Sequence, residues 1–299
     1  MTHLFKIQRH IGGRSIVELM IAIVISMVIL IVLISLFVAN KQTFRATDDK
    51  SRLDEEGRLA LNLIAFHLRM AGYGALTTTQ IPPRGGVFTD FSNTFEAVNG
   101  CSNGFADNTS TANTCAVGTA SSSIAIRQVI DQYDANLTAG ALPTDCLGNG
   151  VGITPAIVEN RFFVATNAVT AIPELYCVGS GGTAVGAANF ANGAQPIAEN
   201  VVSMNITYGY SSSSSQSVDG YYTAAQIIAL AAPATGTNWG RIVSAQICLV
   251  VRSANNGLTT SAQQYRDCTG AVVTATDRRL YSTFSTFVTI RNRASGSTL

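Results

Sequence analysis

The chain changes its hydrophobic pattern twice. Residues 19–40 read LMIAIVISMVILIVLISLFVAN and carry no charged side chain. A helix rises about 1.5 Å per residue, so roughly 20 residues cross a bilayer's hydrocarbon core, and this run is long enough. It is also longer than the apolar region of a secretory signal peptide, about 7–15 residues, and no A-x-A cleavage site follows it. The pattern therefore predicts a retained membrane helix over about residues 16–39. Beyond it, residues 41–58 are polar and of mixed charge, and then helical periodicity returns. Leu59, Leu63, Phe66 and Met70 form one stripe, and Leu61, Ile64 and Leu68 form a second beside it. Together they make a broad apolar face that other protein must cover. No proline interrupts Arg14 to Ala71, so one helix of about 87 Å is predicted across 14–71. Gly57 is its weak point, at about 1 kcal/mol relative to alanine, and Gly72-Tyr73-Gly74 supplies the stop.

From residue 73 onward the signal is strand-like. The runs are Ser123–Ile130, Arg161–Thr166, Leu175–Val178, Val201–Tyr210, Arg241–Arg252 and Leu280–Arg291. The last alternates, with Leu280, Phe284, Val288 and Ile290 on one face and Arg279, Tyr281, Thr283 and Arg291 on the other. The stretches 179–194 and 211–217 are rich in Gly, Ser and Asn and read as surface loops. The expected fold is α+β: a long N-terminal membrane-spanning helix packed on an antiparallel β-sheet head. The chain divides into a leader at 1–13, the helix at 14–72, and a head at 73–299.

Charge and chemistry narrow the function. The leader carries Lys6 and Arg9 and no acid, which predicts a cytoplasmic N-terminus and an exported head. The head holds 10 arginines and 12 carboxylates, a formal net charge of −2, and lacks the basic footprint of a nucleic-acid binder. His67 is the one histidine after the leader, and it lies among the helix leucines as a packing residue. A Ser-His-Asp triad inside the head is thereby excluded. There is no P-loop, no G-x-G-x-x-G and no calcium-loop spacing, so no enzyme, metal or cofactor is expected. Asn108, Asn136 and Asn205 open short glycosylation-like triplets that read as chance matches. All six cysteines lie in the head without a C-x-x-C pair, which argues for disulfides in an exported domain. Six cysteines allow 15 pairings. The sequential set Cys101–Cys115, Cys146–Cys177 and Cys248–Cys268 is the expectation. Arg278, Arg279, Arg291 and Arg293 flank the last strand. They read either as a contact surface for neighbouring subunits or as charges that keep a strand edge soluble.

One carboxylate, Glu18, stands at the edge of the apolar run, five residues after Gly13. A carboxylate there is costly in lipid unless it has a partner. The segment Gly12-Gly13-Arg14-Ser15-Ile16-Val17-Glu18, behind a basic leader, resembles the class III leader of type IV pilins and pseudopilins. The resemblance implies cleavage after Gly13 and N-methylation at Arg14, where the family usually has phenylalanine. It also implies that Glu18 neutralises the terminal amine of a neighbouring subunit. Glu56-Gly57-Arg58-Leu59-Ala60-Leu61 with Leu68–Tyr73, and Asp277–Phe284 with Val288–Arg293, resemble PilW-type minor pilins, as do Asn205–Gly209 and Ile247–Arg252. That likeness implies a structural subunit of the complex that primes a type IV pilus, with a place at its tip. The implied partners are the other minor pilins, the major pilin, a prepilin peptidase, the inner-membrane assembly platform and a tip adhesin. The implied location is the inner membrane and then the filament. A pseudopilin of a type II secretion system is the alternative.

Overall fold

The computed structural model describes residues 15–74, 86–87, 96–110, 112–118, 121–130, 144–150, 156–181, 190, 193–212, 217–233 and 237–294. Most of the stretch 179–194 and the centre of 211–217, both expected as loops, lie outside those residues. In chain order the elements are α1 (Ile16–Met70), β1 (Tyr73–Gly74), β2 (Gly86–Val87), β3 (Val98–Cys101), β4 (Ser123–Ile130) and β5 (Ala156–Thr166). Next come β6 (Pro173–Gly179), β7 (Gln195–Glu199), β8 (Val201–Tyr210), β9 (Gly220–Thr223) and α2 (Ala224–Ala229). The chain continues with a short 3-10 turn, β10 (Ile242–Arg252), β11 (Gln264–Arg266), β12 (Val272–Thr274), β13 (Tyr281–Thr289) and α3 (Arg291–Ala294). The six expected strand runs are all present, within a few residues at their ends. The polar strands β3, β7, β9, β11 and β12 are additions that hydropathy did not signal. So is α2, although Thr223-Ala-Ala-Gln226 is a capping box, with Thr223 Oγ1 accepting from the Gln226 N–H at 3.3 Å.

The chain forms two compact units, divided between Asp48 and Asp49. In the first, α1 runs alone. It is long and apolar enough to cross a membrane, and its most apolar window has no buried residue. Its hydroxyl groups are satisfied within the helix: Ser26 Oγ donates to the Ile23 carbonyl and Ser35 Oγ to the Val32 carbonyl, both at 2.8 Å. Serine is tolerable in lipid when its hydroxyl is bonded this way.

In the second unit, the C-terminal part of α1 shares one core with two antiparallel sheets. One has four strands in the order β13-β10-β8-β9, and the other has five in the order β3-β4-β5-β6-β7. Ile64 and Leu68 are fully buried from the helix. They join Ile124, Phe162 and Leu175 from the five-stranded sheet and Ile206, Ile247, Leu249 and Val288 from the four-stranded sheet. The second helical stripe is thus the one the head covers. The first is left largely open, with Leu59 56%, Phe66 58% and Met70 36% exposed. The face actually buried includes the small residues Gly57, Ala60 and Ala65, which let strands approach the helix closely. Gly57 is therefore no weak point: a Cβ there would sit 2.4 Å from Phe284 Cε2 of β13. The alternation expected for β13 holds, since Phe284 and Val288 face this core while Thr283, Ser285 and Phe287 face out.

The helix end is fixed by the last residues of the chain. Gly72 takes a left-handed φ of 71° and donates to the Arg127 carbonyl at 2.9 Å. Asn292 Nδ2 then donates to the Ala71 carbonyl at 3.1 Å, with the Arg69 and Met70 carbonyls at 3.4 Å. Otherwise orphaned carbonyls of α1 are satisfied by a side chain some 220 residues away in sequence. Similar tethering occurs at Asp49, which is 4% exposed and accepts from Asn255 Nδ2 at 2.9 and 3.1 Å.

Two disulfide-closed segments lie over outer sheet faces, and the third, Cys146–Cys177, lies on the helix-facing side of the five-stranded sheet. The cysteines pair as Cys101–Cys115, Cys146–Cys177 and Cys248–Cys268. The first closes a loop whose Phe105 packs on the five-stranded sheet. Beneath it lies fully buried Arg161, its guanidinium 5.3 Å from the Phe105 ring and 4.1 Å from the Phe190 ring. Arg161 donates to Glu159 at 2.6 Å, and Arg127, cross-strand from Glu159, donates to it at 2.7 Å. A buried charge stays only where it is paired and bonded, and this carboxylate serves two guanidiniums. On the opposite face of β5, Asn160 bonds His67 Nδ1 at 3.2 Å and accepts from the Cys146 N–H at 2.9 Å.

Two predictions follow from this packing. Gly57→Leu forces the Phe284 ring off α1, an overpacking that costs about 2 kcal/mol; denaturant unfolding of the detergent-solubilised chain should show a lower midpoint with an unchanged slope. Burial pushes the His67 pKa from 6.5 down to about 4, with Asp145 pulling the other way. The unfolded chain therefore binds the extra proton first. Stability from this neutral imidazole is complete above about pH 6.5 and falls as pH drops toward 4, by up to about 3 kcal/mol. The His67→Asn variant should have a lower stability at pH 7 and a flatter profile across that window.

Candidate assembly surfaces

Glu18 sits in the first turn of α1, exposed, where the helix dipole favours a carboxylate. Ser15 Oγ accepts from the Val17 N–H at 3.4 Å just before it. Among the described residues Glu18 has no ion-pair partner. Gly13 and Arg14, the expected cleavage position, lie outside the described residues. What the chain offers at this end is a single carboxylate at the mouth of an apolar helix.

The four arginines, read as a contact surface or as charges on a strand edge, lie at the two ends of β13. Arg278 and Arg279 precede β13, whereas Arg291 and Arg293 lie in α3 after it. A nine-residue strand at about 3.4 Å per residue keeps the two pairs on the order of 30 Å apart. Their environments differ too. Arg279 is committed inside the head: Nε pairs with Asp277 at 3.2 Å, and Nη1 donates to the Ser253 carbonyl at 2.9 Å and to the Ala254 carbonyl. It pins the turn after β10 and reads as a structural residue, which removes it from the free contact set. Arg278 and Arg291 are exposed. The Arg293 side chain is outside the described set.

A larger open surface is the uncovered stripe of α1, Leu59, Phe66 and Met70, which sequence periodicity had grouped with the covered one. The distinction was not readable locally, because both stripes have the same composition and spacing. What separates them is that the Gly57, Ala60 and Ala65 face, not the bulky one, admits the strands. Sequence reasoning also missed Asn292 and Arg161. Both are polar residues whose partners are remote in the chain, so neither carries a local signal.

These features define a class. A long apolar N-terminal helix, whose C-terminal part packs against antiparallel sheets in a disulfide-bonded head, is the arrangement that the sequence resemblance to type IV pilins implies. The family model described as Type IV Pilus-assembly protein W (PilW) matches residues 161–292, and over those residues the chain is similar to that family. The match spans β5 to the start of α3. It takes in Asn205–Gly209, Ile247–Arg252 and nearly all of the C-terminal segment that resembled the family, but not Glu56–Tyr73. No curated protein matches the chain. Among solved structures, a type IV-like pilin from Thermus thermophilus aligns with a TM-score of 0.42 at 11% identity, covering 81% of this chain and 97% of that one. The N-terminal helix is long and apolar enough to cross a membrane.

The two arginines that open the C-terminal segment are separable by stability. Arg279→Ala removes bonds to two backbone carbonyls and should cost about 1–3 kcal/mol. Arg278→Ala should stay within about 0.5 kcal/mol of the parent. Thermal unfolding of both variants checks the assignment.

Proposed function

We propose that the chain is a minor pilin of a type IV pilus. It is processed after Gly13, held in the inner membrane by α1 with its head in the periplasm, and drawn into the complex that primes the filament. It acts as a structural subunit whose partners are other minor pilins and the major pilin. The observation that carries this reading is Glu18. A lone carboxylate opens an uncharged span, five residues after a leader glycine, in a chain whose head matches the PilW family. In the bilayer such a carboxylate is tolerable with a counter-charge, and the amine created by cleavage at Gly13 on an adjacent subunit supplies one. Docking and neutralisation are then the same event, so an unpaired subunit stays in the membrane and a paired one enters the filament. The uncovered Leu59, Phe66 and Met70 stripe supports the same reading, since it gives the helix an apolar side for packing against other subunits.

Glu18→Ala is the direct test. The variant should insert in the membrane at the parent level, because removing a charge next to the span favours insertion. Its amount in sheared filaments should fall at least about tenfold, equivalent to losing one charge-pair contribution of about 1.4 kcal/mol. Parent-level incorporation of the variant would contradict the proposal.

A further inference from the structure

Strand β13 is the edge of the four-stranded sheet, and among the described residues part of its outer side is a row of unused backbone groups. The even-numbered residues point toward β10: the Ser253 N–H donates to the Leu280 carbonyl at 2.7 Å, and the Ile290 N–H to the Val243 carbonyl at 2.9 Å. The odd-numbered residues therefore point away from the sheet. At Tyr281 that outward pair is already occupied. Gln263 bonds it from both atoms of its amide, Oε1 accepting at 2.7 Å and Nε2 donating at 3.1 Å, in the manner of a neighbouring strand. Beyond Thr283, whose hydroxyl donates to the Arg266 carbonyl, this cover ends. Among the described residues, nothing bonds the outward N–H and C=O groups of Ser285, Phe287 and Thr289.

An edge of this kind is normally guarded by charge, proline, shortness or a covering loop. The other edges of the two large sheets are guarded. β7 contains Pro196 and Glu199, and β3 and β9 have four residues each. In contrast, β13 reads YSTFSTFVT over nine residues, with no charge, no proline and no glycine. Its β-branched and aromatic content is that of a strand adapted to a neighbour on each side. Phe287 is 58% exposed on the outer face of the sheet, where its ring reaches back over β10 and β8 to within 5.4 Å of that of Tyr221 on β9. The open backbone groups of Ser285, Phe287 and Thr289 give an incoming strand a hydrogen-bond ladder.

Direction limits what can bind. Before β13 the chain is anchored at Ser253 and Ala254, next to Asn255, which holds Asp49; after β13, Asn292 holds Ala71. The strand therefore runs in the same direction as the Asp49–Met70 part of α1. Antiparallel pairing of two copies through this edge would set those helical segments in opposite directions. The two Asp49 ends, from which each chain continues into its apolar segment, would then lie at opposite ends of the pair, which argues against a second copy as the occupant. We infer that the β13 edge from Ser285 to Thr289 is a strand-addition site for an uncharged extended segment of a different pilus subunit, continuing the four-stranded sheet. This rests on the proposed pilin function for the identity of the partner.

The test is site-specific photo-crosslinking of the full chain in living cells that make pili. p-Benzoylphenylalanine replaces Phe287, and adducts are identified by mass spectrometry, with the chain's presence in sheared filaments scored in parallel. The expected product joins this chain to an extended segment of another pilus subunit. Ser285→Pro, which removes an outward N–H the fold does not use, should lower its yield about tenfold or more. Ser285→Lys leaves every backbone bond of the fold in place and should do the same by placing a charge on the edge. Melting of the purified variants verifies that each is folded. A chain that enters filaments but gives no adduct at position 287 overturns the edge assignment while leaving the pilin reading intact. So does an adduct made only of two copies of this chain, or a yield that neither folded variant reduces.

Discussion

The head depends on the closeness of one helix to one strand. Phe284 of β13 fills the space that a side chain at position 57 would occupy, so α1 and the four-stranded sheet share a core with no gap between them. Everything else follows from that contact. Ile64 and Leu68 reach both sheets only because the small residues on the same face bring the helix down to them. With that face committed, the bulky stripe of Leu59, Phe66 and Met70 is turned outward. The residues that make the helix available to other molecules are set by a glycine on its far side.

The same economy governs the polar groups. Cap and tether residues at the ends of β13 fix the helix from both directions, through Asn292 at Ala71 and Asn255 at Asp49. Away from the helix, Arg161 is held between two aromatic rings under a disulfide-closed loop, with Glu159 shared between it and Arg127. Losing Glu159 would leave the buried Arg161 guanidinium without its carboxylate, a larger cost than the net worth of the pair. These networks make the head specific rather than merely compact.

Much of this was legible in the sequence, for identifiable reasons. The apolar N-terminal helix, its continuation to Met70 and the six apolar strands each carry a hydrophobic signal that is local to the element. The leader pattern around Gly13 and Glu18 is also local, so the pilin likeness was visible from it before the PilW match to residues 161–292. What was not legible depends on partners remote in sequence. Gly57 looked like a defect because Phe284 is more than 200 residues away. Arg278, Arg279, Arg291 and Arg293 read as one group because a strand's length between them is invisible as distance until the chain is folded. β11 and β12 have no apolar face to announce them, since they lie over a polar sheet face held by Cys248–Cys268.

The central claim is that this chain is processed as a pilin and built into a filament. Its most direct test is mass spectrometry of the N-terminal peptide from sheared filaments and from membranes. The account predicts a peptide that begins at Arg14 in the filament fraction. A peptide that still carries Met1–Gly13 in every fraction, with the processing peptidase active, would contradict it.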